Sequence, residues 1–163
     1  MSVLHAGAAF TVAALLALVP LPQTRAAGGA PEPDVARELA HAHELMDRKD
    51  WTGALVELKR ALRKDRRNPD VHNLMGFSYR KSGQLDDAFD SHRAALRLDP
   101  LHRGAHEYIG QAYLQANQPD KAREHLATLK RICGDCEEYQ DLAKAVSSWH
   151  PPSSAASTTA TAK

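Results

Sequence analysis

Two hexapeptides, Leu74-Met-Gly-Phe-Ser-Tyr79 and Tyr108-Ile-Gly-Gln-Ala-Tyr113, align with Gly76 on Gly110 and Tyr79 on Tyr113, both at an offset of 34 residues. The same offset relates Ala54, Ala88 and Ala122, then Ala61 and Ala95, then Asp65 and Asp99. A chain that repeats itself at this period cannot bury one face of a single unit alone. It must stack units so that neighbours share a continuous core. Units are expected at about 35–68, 69–102 and 103–136.

Within each unit the apolar residues recur at helical spacing, and from Asp34 to about Trp149 no stretch alternates with a period of two. The reading is all-α. Two antiparallel helices per unit need small residues where they cross, and Gly76, Gly110 and the alanine series supply them. Turns are expected at Arg48-Lys-Asp-Trp51, Ser82-Gly-Gln-Leu85 and Asn117-Gln-Pro-Asp120, with Pro119 in the first turn of a helix and Asp99-Pro100 stopping one. A last amphipathic helix over 136–149 carries Tyr139, Leu142, Ala143, Val146 and Trp149 on one side, suited to closing the open end of the stack.

These residues resemble the tetratricopeptide repeat. The second unit carries the resemblance through Met75-Gly76, Tyr79, Ala88, Ala95 and Pro100, and the third through Ile109-Gly110, Tyr113 and Ala122 before departing at Leu129 and Gly134. The first unit has His41-Ala42 and Leu45 in place of the usual Leu-Gly and Tyr but keeps Trp51, Ala54 and Ala61. The resemblance implies an α-solenoid of three helix-turn-helix repeats over 34–149 with a C-terminal capping helix.

Residues 1–26 hold an apolar run from Ala6 to Leu21, closed by Pro20 and Pro22, then small residues to Ala26. This reads as a secretory signal peptide, too short to span a bilayer. Residues 27–33 are expected to be a flexible linker and residues 150–163 a disordered tail, since neither has apolar content to offset its ordering entropy. The expected product is exported to the periplasm, with no stable membrane insertion after cleavage. Removing Arg25 from 21 basic and 20 acidic residues leaves the mature chain balanced. No nucleic-acid partner is therefore expected. The local cluster Lys59-Arg60, Arg63-Lys64, Arg66-Arg67 reads as a solvated helix face.

The only cysteines, Cys133 and Cys136, form a CGDC pair where the third unit meets the closing helix. Three chemistries fit the spacing. A redox site lacks its usual strand-to-helix setting, and Asp135, Glu137 and Glu138 oppose a thiolate. A zinc site lacks two further ligands, because His125 and His150 lie too far along their helices. A disulfide across the turn is favoured, since residues at i and i+3 of a turn approach within disulfide range. Asp135 is expected to cap the closing helix, with Glu138 completing a capping box.

Nine histidines, among them His41, His43, His72, His92 and His106, raise a metal hypothesis that no HxxxH or His-carboxylate spacing supports, so no metal and no cofactor is expected. No catalytic set stands out either, and the chain reads as a non-enzyme. What the resemblance implies is a concave groove lined by the first helix of each pair, which receives a segment of another protein. Carried onto this chain, its partner-binding positions are His43, Met46 and Asp47, then Asn73, Phe77, Arg80 and Lys81, then Glu107, Gln111, Leu114 and Gln115. Phe77 is the expected anchor, with Arg80 and Lys81 ready to pair with an acidic segment. The basic set that grips a terminal carboxylate in some members is incomplete: Ala36, Leu39, His43, Gly104 and Tyr108 stand at its positions. The expected function is an adaptor or assembly factor. The alternatives are a thiol-disulfide or metal-handling maturation factor working through the CGDC pair, or a structural subunit of a larger complex.

Overall fold

The computed structural model describes residues 33–151. The expected signal peptide (1–26), the linker to residue 32 and the tail from residue 152 lie outside them. Among the described residues there are seven helices and no strand: α1 (Pro33–Asp47), α2 (Trp51–Lys64), α3 (Pro69–Lys81), α4 (Leu85–Leu98), α5 (Arg103–Gln115), α6 (Pro119–Cys133) and α7 (Glu137–Ser148). None is long and apolar enough to cross a membrane. Pro33, placed in the linker by the sequence, is the first residue of α1.

Each helix pair turns by the same device. Lys49, Gly83 and Asn117, 34 residues apart, all have positive φ (61°, 82° and 58°). The amide of the next residue reaches back five positions in each case: Asp50 to Leu45, Gln84 to Tyr79 and Gln118 to Tyr113, at 2.8 to 2.9 Å. This is a Schellman closure of the first helix. Between pairs, Asp65 and Asp99 end α2 and α4, and their carboxylates accept from the amides of Arg67 and Leu101. Asn68 and His102 then cap α3 and α5 by accepting from the amides of Val71 and Ala105.

The alanines do what close crossing requires. Ala54, Ala88, Ala122, Ala61 and Ala95 are all fully buried. One core cluster joins Val35, Leu55, Leu58, Val71 and Met75 between the first and second pairs, and a second joins Phe89, Ile109 and Ala112 between the second and third. Gly76 and Gly110 mark the tightest approaches. A Cβ on Gly76 would stand 2.6 Å from the His92 ring, and one on Gly110 would stand 2.6 Å from Leu142.

Successive helices pack in order, and α3 also touches α5 while α5 touches α7. The closing helix starts 34 residues after Arg103, at Glu137, so α7 occupies the place of a fourth repeat's first helix. Leu142 and Leu129 are fully buried at this end. Trp149, just past α7, donates its indole Nε1–H to the Leu114 carbonyl at 3.0 Å. The turn before α7 differs from expectation in one respect. Cys136, not Asp135, is the residue before the helix, and no side chain caps it. Gly134, at φ 72°, ends α6 and turns the chain so that Asp135 falls one position short of the helix start. Its carboxylate therefore makes no cap, and its backbone carbonyl accepts from Gln140 Nε2 instead.

Candidate functional site

A row of aromatic rings runs across the repeats. Trp51, at the start of α2, meets Phe77 of α3 edge-on with ring centroids 5.9 Å apart, and Phe77 meets Tyr108 of α5 at 4.9 Å. Such tilted pairs each contribute about 1 kcal/mol beyond the area they bury. Arg80 and Lys81, one turn further along α3, place their cationic groups 5.4 and 5.5 Å from the Phe77 ring centre, and Lys81 also lies 6.0 Å from Trp51. Phe77 is half-buried, so it serves both as packing between repeats and as a partly open apolar surface. The helical period dictates this grouping: Phe77, Arg80 and Lys81 stand at i, i+3 and i+4 on one face.

Beside the rings lies a polar chain. Arg80 donates to Gln111 Oε1 at 2.8 Å, and Gln111 Nε2 donates to Glu107 Oε1 at 2.7 Å. The Arg80 Nε is buried without a hydrogen-bond partner. Burial lowers the Arg80 pKa, while Tyr108 and Glu107 act to raise it. Glu107 is pushed up to about 7, first by burial and then by Asp141, Glu138 and Glu137 of α7, with Arg80 pulling the other way. The face thus has two electrical ends: cationic at Arg80 and Lys81, acidic where α7 closes the stack.

The residues singled out from the sequence divide by accessibility. His43, Asp47, Lys81 and Gln115 are exposed, and Met46, Phe77, Arg80 and Gln111 are half-buried. Asn73, Glu107 and Leu114 are buried. The Asn73 side-chain Oδ1 accepts from His92 Nδ1 at 3.1 Å, beneath the groove rather than in it. Leu114 is held under the closing helix through its bond from Trp149. Trp51 and Tyr108 were not counted among the groove residues in the sequence, although both belong to the ring row. Their signal was the aromatic type at the start of α2 and one repeat position before Ile109.

Cys133 and Cys136 face one another across the α6–α7 turn with Cα atoms 5.6 Å apart, within the span of a disulfide. Their sulfurs and a Glu138 carboxylate oxygen lie within 4.8 Å of one another, a set that as free thiolates could hold a soft metal ion. Glu138 is also engaged by Arg103 at 3.4 Å. Elsewhere, Lys59, Leu62, Arg63, Arg66 and His72 line an open recess of about 420 Å³ on the α2 side. Lys59 there lies over the Tyr79 ring at 5.7 Å.

His125, which its spacing sets too far from the cysteines to share a metal with them, meets His106 instead. Their Nδ1 atoms stand 2.8 Å apart, and His106 Nε2 lies 3.0 Å from the Pro100 carbonyl. Burial lowers the pKa of both rings, that of His125 to about 4. The helix spacing hid this pair, because it joins facing sides of two antiparallel helices.

Two family models match, one described as tetratricopeptide repeat over residues 79–146 and one as TPR repeat over residues 42–81. The chain belongs to the tetratricopeptide repeat family. Its repeat fold is similar to the Sgt2 TPR domain from Aspergillus fumigatus, with a TM-score of 0.66 and 20% identity over 82% of this chain and 95% of that one. It is also similar to the second TPR domain of the human RPAP3 protein, solved in complex with the HSP70 peptide SGPTIEEVD, with a TM-score of 0.63 and 16% identity over 71% and 98% of the two chains. A curated relative, the TPR repeat-containing thioredoxin TTL4 of Arabidopsis thaliana, is 28% identical over 120 residues. That match takes in 73% of this chain but only 17% of the relative's length. In this chain α3 and α5, the first helices of the second and third pairs, touch, and they carry Phe77, Arg80, Lys81 and Tyr108, with Trp51 joining the row from α2.

Proposed function

We propose that this tetratricopeptide repeat domain is a non-enzymatic adaptor or assembly factor that binds a segment of another protein along α1, α3 and α5, in an exported, periplasmic setting. The observation that carries the reading is the half-buried Phe77, packed between Trp51 and Tyr108 and overlain by Arg80 and Lys81. An apolar anchor beside two cations suits a segment with one large apolar residue and nearby carboxylates. The HSP70 peptide bound by the human RPAP3 domain ends in EEVD, which has that acidic character. The acidic end near Glu107 and Asp141 favours a basic or donor group at the other end of the segment. His43, exposed on α1, would extend the contact to the first repeat.

Peptide selection tests the reading. A random library displayed on phage is panned against the wild-type domain and counter-selected on the Phe77→Ala/Arg80→Ala double variant. Acidic peptides with an apolar anchor, retained by wild type alone, support it. Identical pools from both proteins contradict it.

A second reading rests on the half-exposed Cys133 and Cys136 with Glu138 beside them. It makes the chain a thiol-disulfide or metal-handling maturation factor whose repeats bring a client to the pair. The acidic first turn of α7, Glu137 and Glu138, opposes the low thiolate pKa such work needs. The favoured role for the pair is a disulfide that fastens the closing helix.

A further inference from the structure

We propose that His106 and His125 form a binding site for a divalent transition-metal ion with a preference for imidazole, such as Zn2+ or Cu2+, held by their two Nδ1 atoms between α5 and α6. A backbone carbonyl can only accept a hydrogen bond, so the contact of His106 Nε2 with Pro100 O at 3.0 Å places that ring's proton on Nε2. Its Nδ1 is then a bare lone pair, and it points at His125 Nδ1, 2.8 Å away. A carbonyl behind one ring nitrogen and a free lone pair at the other is the arrangement that orients metal-ligating imidazoles. The second ring is packed on one face: His125 stacks on Tyr113 with centroids 5.6 Å apart and planes 18° from parallel, an arrangement along which it can slide.

The geometry needs little adjustment. With metal–nitrogen bonds of about 2.0 to 2.1 Å in a tetrahedral site, two ligand nitrogens stand about 3.3 Å apart. The rings must therefore part by about 0.5 Å and rotate so that both Nδ1 lone pairs converge on the ion instead of facing each other, a movement taken up by the half-buried His125. His125 gives up the proton it donates through Nδ1 and takes one at Nε2, so the exchange needs no net proton. His106 is buried and His125 half-buried, so water completes the coordination from the His125 side. The charges acting on His106 are His102 and Arg131, which disfavour a cation, and Asp99, which favours one. The site is separate from the cysteine turn, since His125 and Cys133 are eight residues apart on one helix, about 12 Å.

The test uses the full chain with its cysteines oxidised, in buffer without reductant. Long-range 1H–15N spectra resolve each imidazole while Zn2+ is added. The expected result is that His106 and His125 Nδ1 signals move within the first equivalent, ahead of His41, His43, His72, His102 and His150. His125→Asn keeps an N–H that can donate to His106 Nδ1 but removes the ligand, so zinc affinity should fall about tenfold or more while metal-free stability is kept. His125→Gln serves the same purpose should the shorter side chain fail to fold. Zinc that moves other histidines first, moves none, or binds the His125 variants as tightly as wild type would overturn the proposal.

Discussion

Arg80 of the second repeat donates to Gln111 of the third at 2.8 Å, so the cation that overlies Phe77 is positioned by the neighbouring repeat rather than by its own. The groove is therefore a property of the stack. Gln111→Leu leaves a second Arg80 nitrogen without a partner, beside the Nε that already lacks one. Because Arg80 is half-buried, the expected cost is at the lower end of about 1–3 kcal/mol. Urea denaturation measures it, and the same variant should weaken binding of a selected acidic peptide.

Gly110 lies under Leu142, and a Cβ there would come within 2.6 Å of the Leu142 side chain. Gly110→Ala should push α7 outward and destabilise the domain by about 1–3 kcal/mol. Gly83→Ala meets nothing within 4 Å, but it places a side chain at φ 82°. Its cost should be that of the left-handed backbone alone, about 1–2 kcal/mol. Hydrogen exchange separates the two. The first variant should expose the α7 amides selectively, whereas the second should raise exchange around the α3–α4 turn.

His92 is fully buried, and burial, followed by Arg80, His102 and His125, lowers its pKa to about 3 from 6.5. A folded-state pKa below the unfolded one means that the unfolded chain binds the extra proton between these two values. Stability therefore rises with pH across about 3 to 6.5, and this contribution is lost as pH falls through that window. His92→Gln keeps a donor for Asn73 and removes the titration. Its unfolding free energy should depend less on pH between 4 and 6.5 than that of wild type. Urea midpoints at several pH values in that range, roughly one unit apart, check the slope.

Cys133 and Cys136 close a loop of four residues at the α6–α7 turn. A disulfide across so short a loop contributes on the order of 2 kcal/mol in the chain-entropy account. Cys133→Ser/Cys136→Ser should lower the stability of the closing helix by about that amount and leave α1 to α4 intact. A structural pair should also have a reduction potential below about −300 mV. A value in the range of thiol oxidoreductases would favour the maturation-factor reading instead.

Much of this fold was legible because repetition supplies independent copies of each argument. The 34-residue offset located Ala54, Ala88 and Ala122 and aligned Asp65 with Asp99, and the structure shows each aspartate accepting from the amide two residues on, Arg67 and Leu101. The Schellman turns were partly legible: Gly83 is a familiar left-handed residue and Asn117 an acceptable one, but Lys49 carries no such signal. The cap at Asp135 was misplaced by one residue, because the sequence does not show where a left-handed Gly134 redirects the chain.

The candidate site was legible by face rather than by depth. The family resemblance put Asn73, Glu107 and Leu114 among the groove positions, but burial there depends on His92 beneath and on Trp149 and α7 above. The His106–His125 pair was not legible, because two residues 19 positions apart on facing helices share no spacing rule within either one.

The central claim is that the ring row and its cations receive a partner segment. The most direct measurement is chemical-shift mapping of the 15N-labelled domain during titration with an acidic peptide selected on wild type. The account predicts perturbations concentrated at Phe77, Arg80, Lys81, Tyr108 and Gln111, and binding weakened at least tenfold by Phe77→Ala/Arg80→Ala, equivalent to about 1.4 kcal/mol. Perturbations confined to α2, α4 and α6, or affinity unchanged in the double variant, would contradict it.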